Sequence, residues 1–136
     1  MEKREVIMDH YSNPRNRRRI NDVRYIQENT RNSSCIDNLD IYIDIENGYI
    51  KDITFDGEAC AISISSASIM TCNLKGKTIK EAKEYIENME SMLNDKEYNS
   101  NILKDAVVYE DTKNTSRKTC AWLPYAAVKK VLENLR

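Results

Sequence analysis

The sequence has little net charge and no long apolar run. Its 136 residues carry 21 basic and 22 acidic side chains, so no overall field is present that would attract nucleic acid or anionic lipid. No segment approaches the roughly 18 consecutive apolar residues of a membrane-spanning helix, and the first residues lack the apolar stretch of a secretory signal. We therefore expect a cytoplasmic protein with no nucleic-acid or membrane partner, folded as one domain over residues 1–136.

The sequence has one histidine and no closely spaced pair of cysteines, which limits the kinds of metal site and nucleophilic site that it can form. His10 is the only histidine, so a histidine-rich metal site or a Cys–His nucleophile pair has little to build on. The four cysteines, at positions 35, 60, 72 and 120, form no CxxC pair. In a reducing compartment such cysteines act as metal ligands, reactive thiols or small buried residues rather than as disulfides. Any metal site must therefore be assembled from distant segments.

Hydrophobic periodicity predicts a helix followed by a hairpin. Apolar side chains in residues 6–11 stand at helical spacing, and Pro14 ends this helix. Apolar and polar residues alternate over residues 39–45, as in a half-buried strand. The turn signal "ENG" at 46–48 and the run at 49–55 predict the second arm of an antiparallel hairpin.

Two segments before the hairpin have weaker signals. Residues 23–29 supply a third strand, although their alternation is weak. Four arginines within residues 15–19 predict a solvated loop or, alternatively, a docking patch for an acidic partner.

The second half of the chain is predicted to be helical. Residues 61–74 form an apolar helix whose serines and alanines allow close packing against a sheet, and an amphipathic helix follows a capping box at Thr78. A short helix is predicted within 101–109, and a terminal helix starts near Cys120, with Pro124 in its first turn or kinking it. The order indicates an α+β fold, in which helices pack on one face of a small three-stranded antiparallel sheet and the terminal helices flank it.

Cys35 lies in the polar segment "RNSSCID". Because it has no apolar neighbours, we expect an exposed and reactive thiol rather than a packed one. Asp37, two residues later, can bring a carboxylate toward whatever that thiol holds. The alternative is that Asp37 is only a turn residue.

Two other cysteines stand at predicted helix starts. Backbone amides and the helix dipole at Cys60 and Cys120 should lower the pKa of each thiol, and Arg117 and Lys118 add positive charge near the second. Cys72 lies 12 residues beyond Cys60 on the same predicted helix, roughly 18 Å away at about 1.5 Å per residue. It is therefore excluded from a site shared with Cys60.

Three thiolates and a carboxylate form a suitable tetrahedral ligand set for zinc, and equally for ferrous iron with sulfide. The aspartate makes such a site easier to open, which suits transfer rather than permanent storage. The sequence thus yields one hypothesis, a metal site formed by Cys35, Asp37, Cys60 and Cys120.

These residues lie in motifs that resemble the iron-sulfur cluster assembly proteins IscU, NifU (N-terminal domain) and SufU. The resemblance runs from end to end, through an opening helix with an "HYxNPRN" signature, the first cysteine, the strand-to-helix passage with the second cysteine, the end of that helix and the third cysteine. The corresponding segments are "VIMDHYSNPRN", "SSCID", "ITFDGEACAISISSASIMT", "LKGKT" and "SRKTCAWLP".

Within the family, the sequence most resembles the SufU branch. About forty residues separate "LKGKT" from Cys120, and Arg117 stands three places before that cysteine, as in that branch. Thr119 stands where IscU proteins have a histidine, and the proline-rich chaperone recognition motif of IscU is absent. A dedicated handoff to an Hsp70-type chaperone is therefore not implied.

The resemblance implies a SufE/NifU-like fold and a single site with zinc or a transient iron-sulfur cluster as its cofactor. Its ligands would be Cys35, Asp37, Cys60 and Cys120, with Cys35 as the sulfur acceptor and Arg117 in a supporting role. The implied partners are a cysteine desulfurase, which supplies the sulfur, and a downstream iron-sulfur carrier or apo-protein. The chain would act as a monomer or weak dimer.

Two questions stay open at this level. The chain is at most a zinc-dependent sulfurtransferase that accepts a persulfide, and otherwise a non-enzymatic scaffold; the alternative is a structural zinc module that only binds a protein partner. The sequence also departs from the family pattern, because Ser33 replaces a proline while Ile36 and Ala59 replace glycines. Branched residues resist some backbone conformations open to glycine, so Ile36 is expected to alter its loop or to mark a modified function.

Overall fold

The computed structural model describes residues 2–33 and 36–135; Met1, Ser34, Cys35 and Arg136 lie outside the described residues. Within this part, the chain forms five α-helices, one 3-10 helix and a three-stranded sheet, which confirms the predicted α+β class. In chain order the elements are α1 (Lys3–Ser12), β1 (Tyr25–Arg31), β2 (Asn38–Glu46), β3 (Tyr49–Glu58), α2 (Ala61–Leu74), α3 (Ile79–Leu93), α4 (Ser100–Leu103), the 3-10 helix (Lys104–Thr112) and α5 (Lys118–Glu133).

The sheet is antiparallel in the order β1-β2-β3. Asn47 and Gly48 connect β2 to β3 with positive φ angles of 54° and 79°, the conformation that an Asn-Gly pair adopts at low cost in a two-residue hairpin turn. The weak third strand is confirmed as β1, but it spans 25–31 rather than 23–29. β3 continues to Glu58, three residues past the predicted arm.

The helices cover one face of the sheet. Leu39, Ile41 and Ile43 of β2 are fully buried on that face, where α2 packs on β3 while α5 packs on β1 and β2. α2 is buried almost throughout its length, because its serines and alanine let α1 and α5 approach it closely from two sides. The predicted packing of α2 on the sheet is thus only part of its environment.

The arginine-rich segment lies along the other edge of β3. The backbone N–H of Arg18 donates to the carbonyl of Phe55 at 2.9 Å, and the Arg19 guanidinium donates to the hydroxyl of Tyr42 at 2.8 Å. Tyr42 and its cross-strand neighbour Thr54 are buried on the sheet face away from the helices. The backbone of this segment is therefore bonded to the edge of the sheet, while the side chains of Arg17, Arg18 and Arg19 remain exposed to solvent, as predicted for a solvated loop.

The acidic partners of these arginines belong to the sheet itself. Arg17 pairs with Asp56 at 3.3 Å and Arg18 with Asp52 at 2.7 Å, while Arg19 lies 3.6 Å from both Asp40 and Asp56. Exposed ion pairs of this kind contribute about 0–1 kcal/mol each. Their main effect is to hold the segment in register with β3.

The remaining helices agree with the patterns that predicted them. Thr78 and Glu81 form the reciprocal hydrogen bonds of a capping box at the start of α3. The helix predicted within 101–109 is present as α4 followed by the 3-10 helix. Among the described residues, no helix combines the length and the apolar character needed to cross a bilayer.

Candidate metal centre

Three of the four predicted ligands converge at one end of the sheet. Asp37 directly precedes β2, Cys60 caps the N-terminus of α2, and Cys120 lies in the first turn of α5. One ligand atom from each, a carboxylate oxygen and two sulfurs, lie within 4.8 Å of one another. The fourth predicted ligand, Cys35, lies outside the described residues.

The donor set and its spacing fit a soft metal ion. Sulfur ligands about 2.3 Å from a tetrahedral zinc lie about 3.8 Å apart, so ligand atoms within 4.8 Å of one another are close to the spacing that zinc requires. Asp37 is 1% exposed and Cys120 9% exposed, while Cys60 is half-buried. A buried carboxylate beside two thiols is not the environment of a surface turn residue, the alternative interpretation of Asp37.

Asp37 is held in place by the start of α2. Its Oδ1 accepts a hydrogen bond from the backbone N–H of Cys60 at 2.8 Å, and its Oδ2 accepts one from the Ser63 hydroxyl at 3.1 Å. In an ordinary capping box, a glutamate three residues after the N-cap would bond the N-cap N–H. Here that helical position is occupied by Ser63, which has a short side chain, and the N–H of the N-cap residue Cys60 instead donates to the carboxylate of Asp37 from another segment. The positive end of the helix dipole adds to its stabilisation.

Ser63 is the site residue that the sequence analysis missed. Its hydroxyl oxygen is 3.6 Å from the Cys60 sulfur, which donates to it, and 3.0 Å from the backbone carbonyl of Cys120, to which it donates. A signal was present, because Ser63 stands three residues after Cys60, where side chains turn back toward the helix cap.

The position of Cys120 depends on Pro124. This proline is the seventh residue of α5, so the prediction that it lies in the first turn of the helix is wrong. A proline has no N–H and its ring clashes with the carbonyl four residues earlier, so the carbonyl of Cys120 loses its helical donor; the carbonyl of Ala121 is the next one along the helix. α2 supplies hydroxyls to both: Ser63 bonds the Cys120 carbonyl at 3.0 Å and Ser66 bonds the Ala121 carbonyl at 2.6 Å. The proline thereby ties the first turn of α5 to α2.

The expected low pKa of the Cys120 thiol is wrong for the metal-free protein. Burial, followed by the effects of Cys60 and Asp37, raises the pKa of Cys120 to about 12. Burial disfavours the thiolate and a nearby carboxylate repels it, whereas Arg117 is exposed to solvent. Cys120 is therefore a protonated thiol near neutral pH unless a cation displaces its proton.

Three further residues considered in the sequence analysis are Cys72, His10 and Arg117. Cys72 is exposed on α2 and is not part of the three-residue group. His10 is buried, and its Nδ1 is 2.7 Å from the hydroxyl oxygen of Ser68, so it joins α1 to α2. Arg117 is the N-cap residue of α5, and its proposed supporting role remains a prediction.

The two glycine replacements have different surroundings. Ala59 is half-buried against the core, and it is not among the described residues with positive φ, so this replacement causes no left-handed strain. Ile36 is 79% exposed.

An open cleft of about 500 Å³ adjoins Asp37 and is bordered by Ile36, Arg31 and Glu58. Through this cleft, one side of the site is accessible from solvent.

Comparisons with known proteins agree with this architecture. Residues 2–121 match the family described as NifU-like N terminal domain. The chain is 37% identical over 129 residues to the zinc-dependent sulfurtransferase SufU of Bacillus subtilis, covering 93% of this chain and 86% of that protein. It is 31% identical over 132 residues to the iron-sulfur cluster assembly scaffold protein IscU of Thermotoga maritima, covering 96% and 92%.

Solved structures show the same fold. A crystal structure described as an iron-sulfur cluster assembly scaffold protein for the SUF system, from Fervidobacterium islandicum AW-1, superposes with a TM-score of 0.89 at 32% identity over 94% of each chain. A NifU-like N-terminal protein from Brucella abortus has a TM-score of 0.83 over 96% of this chain and 94% of its own, but at 19% identity this shows the fold alone. The chain belongs to the NifU-like N-terminal domain family.

Proposed function

We propose that this chain accepts sulfur from the persulfide of a cysteine desulfurase and passes it on for iron-sulfur cluster assembly. The observation that carries the proposal is the convergence of Asp37, Cys60 and Cys120 within 4.8 Å at the end of the sheet. Cys35 completes the proposed ligand set. The similarity to a protein named as a zinc-dependent sulfurtransferase and to one named as a cluster scaffold supports the same function.

The donor atoms suit either of two occupants, zinc or a transient iron-sulfur cluster. A bound divalent cation would keep the thiols deprotonated at neutral pH, which the raised pKa of Cys120 otherwise prevents. The half-buried Cys60 and the buried Cys120 lie within helix starts, whose backbone holds them in position. We assign them to retention of the cofactor rather than to attack on a partner.

Cys35 is the proposed sulfur acceptor. It stands two residues before Asp37 in the sequence. Its described neighbours in the chain, Ser33 and Ile36, are exposed. These two facts favour a thiol that belongs to the site and that a docked partner can reach.

The transfer step balances without an added oxidant or reductant. The Cys35 thiolate attacks the outer sulfur of the desulfurase persulfide, a new S–S bond forms on Cys35, and the S–S bond of the desulfurase breaks. The desulfurase cysteine leaves as a thiolate, and the transferred sulfur keeps its proton. Arg117 supports this step with an exposed positive charge three residues before Cys120, and a downstream carrier or apo-protein receives the sulfur or the cluster.

A labelled-sulfur assay tests the proposal. The desulfurase, supplied with ³⁵S-cysteine, is mixed with the wild type, with Cys35→Ser and with Cys72→Ser, which removes a thiol outside the three-residue group. We expect label on the wild type and on Cys72→Ser but not on Cys35→Ser. Full labelling of Cys35→Ser would rule out Cys35 as the acceptor.

Two further measurements distinguish a zinc-bound sulfur acceptor from a cluster scaffold. About one zinc per chain after aerobic purification, together with faster desulfurase turnover, indicates a zinc-bound sulfur acceptor. A coloured, labile cluster after anaerobic loading with iron and sulfide indicates a scaffold. A protein that unfolds on zinc removal and has no effect on the desulfurase would instead be a structural zinc module.

A further inference from the structure

The Ser63 hydroxyl lies within hydrogen-bonding distance of all three residues that form the site. Its oxygen is 3.1 Å from Oδ2 of Asp37, 3.0 Å from the carbonyl of Cys120 and 3.6 Å from the Cys60 sulfur. The side chain is completely buried. A hydroxyl has one proton to donate, so at any moment it can donate to the carboxylate or to the carbonyl.

Both acceptors benefit from that proton. Asp37 is buried, and a hydrogen bond to an ionised carboxylate is roughly twice as strong as one between neutral groups. The Cys120 carbonyl lacks its helical donor because residue 124 is proline. Ser63 therefore couples the orientation of the Asp37 carboxylate to the first turn of α5, the turn that carries Cys120.

We propose that Ser63 is a positioning residue of the metal centre, whose hydroxyl orients the Asp37 carboxylate toward Cys60 and Cys120 and thereby sets how tightly this oxygen ligand is held. The inference rests on the proposed function, since it assumes that Asp37 is a ligand. Ser63 does not itself bind the metal. It determines the ease with which the oxygen ligand is released.

A matched pair of variants isolates this role. Ser63→Ala removes the contacts to Asp37, to the Cys120 carbonyl and to the Cys60 sulfur, whereas Ser66→Ala removes a hydrogen bond to the Ala121 carbonyl at 2.6 Å. Ser66 is also fully buried on α2 and also bonds the first turn of α5. Both variants lose one link between the helices, and only Ser63→Ala loses the link to the carboxylate.

The measurements use the metals alone. Zinc affinity is obtained by competition with a chelator, and the cobalt(II) complex reports the ligand geometry through its absorption spectrum. Residues that orient a ligand typically affect metal affinity by about 10–100-fold, so we expect Ser63→Ala to weaken zinc binding by at least about tenfold and to alter the cobalt spectrum. For Ser66→Ala we expect zinc affinity within about twofold of the wild type and an unchanged spectrum.

A double-mutant cycle tests whether Ser63 acts through Asp37. In the Asp37→Ala background, Ser63→Ala should change zinc affinity by no more than about twofold, because the group it orients is gone. Ser63→Thr, which keeps the hydroxyl, should restore the wild-type cobalt spectrum if the added methyl group is accommodated. The cycle gives a result even if this variant does not fold.

The outcomes distinguish the two proposals. Equal affinities and spectra for Ser63→Ala and Ser66→Ala, in a protein whose wild type binds zinc, would overturn the role of Ser63 and leave the proposed function standing. An undiminished effect of Ser63→Ala in the Asp37→Ala background would also overturn it. A wild type that binds neither zinc nor cobalt would refute the metal centre, and the role of Ser63 with it.

Discussion

Gly57 offers the sharpest test of how the fold positions the site. It lies near the end of β3 with a φ of +136°, and a Cβ atom placed on it would be 2.2 Å from the backbone carbonyl oxygen of Asn38. Asn38 is the residue after Asp37, and Gly57 is three residues before Cys60. The substitution Gly57→Ala therefore places a methyl group between the two segments that the hydrogen bond from Cys60 to Asp37 joins.

The size of the effect follows from these distances. Real Cβ atoms essentially never approach closer than 3.0 Å, so the segments must separate by at least 3.0 − 2.2 = 0.8 Å. If the 2.8 Å bond from the Cys60 N–H to Asp37 lengthens by the same amount, it reaches about 3.6 Å and is no longer a hydrogen bond. Loss of a bond to a charged group, about 1.5–3 kcal/mol, and backbone strain of about 1–3 kcal/mol together predict a destabilisation of about 2.5–6 kcal/mol.

Gly48→Ala is the matched control. Gly48 also has a positive φ, +79°, but a Cβ there meets no atom within 4 Å and the turn is remote from the site. This control should lose only about 1–2 kcal/mol, from the left-handed conformation alone. Urea denaturation and zinc titration of both variants measure the difference. A Gly57→Ala protein that is as stable as Gly48→Ala and binds zinc with wild-type affinity would refute the proposed dependence of the site on this close approach.

Two pH-dependent effects are also expected. Burial, aided by Arg15, lowers the pKa of His10 below its ordinary value of about 6.5. As the pH falls, His10 is therefore protonated in the unfolded chain before it is protonated in the folded protein, so the free energy of unfolding should fall as pH drops below about 6.5. Urea denaturation of a His10→Gln variant should show a shallower loss of stability between about pH 7.5 and 5.5. Zinc must displace the proton of Cys120, whose pKa is raised to about 12, so zinc affinity measured against a chelator should fall by at least about tenfold per pH unit between pH 8 and 6. A zinc affinity that is constant over this range would contradict the second prediction, and parallel pH curves for wild type and His10→Gln would contradict the first.

Much of the fold follows from local patterns. The bounds of α2, the capping box at Thr78 and the Asn47–Gly48 turn all appear as predicted. These features depend on periodicity, caps and turn residues, which act over a few positions in the chain. The convergence of Asp37 with two cysteines was predicted as well, first as a hypothesis from the chemistry of the thiols and the carboxylate and then from the family motifs.

The errors concern properties that depend on tertiary packing. The pKa of Cys120 was expected to be low because of its helix start and its basic neighbours, but burial beside Asp37 dominates and raises it. Ser63 was overlooked although it stands three residues after Cys60, and its bond to the Cys120 carbonyl depends on Pro124, which lies 61 residues further along the chain. No local pattern shows that the carbonyl freed by a proline in one helix will face a serine in another.

The alignment of the site depends on one irregularity in the hairpin. Glu46 pairs with Tyr49 next to the turn, and a regular ladder continued from this pair would place Asn38 opposite residue 57. Asn38 instead pairs with Glu58, because a bulge between Asp44 and Ile45 shifts the register by one residue. Since a one-residue shift moves every later side chain to the opposite face, the bulge decides which residue of β3 lies beside the start of β2, and hence where Asp37 meets the start of α2.

The sequence carries a trace of this bulge. Ile50, Ile53 and Phe55 of β3 are all fully buried, although the interval between the first two is three residues, whereas a regular strand repeats its buried face every two. Lys51, the residue without a partner in the ladder, accounts for the extra step. In a hairpin whose far end carries a site, an interruption of the two-residue period on one arm therefore predicts the register at that end, and with it which side chains are brought together.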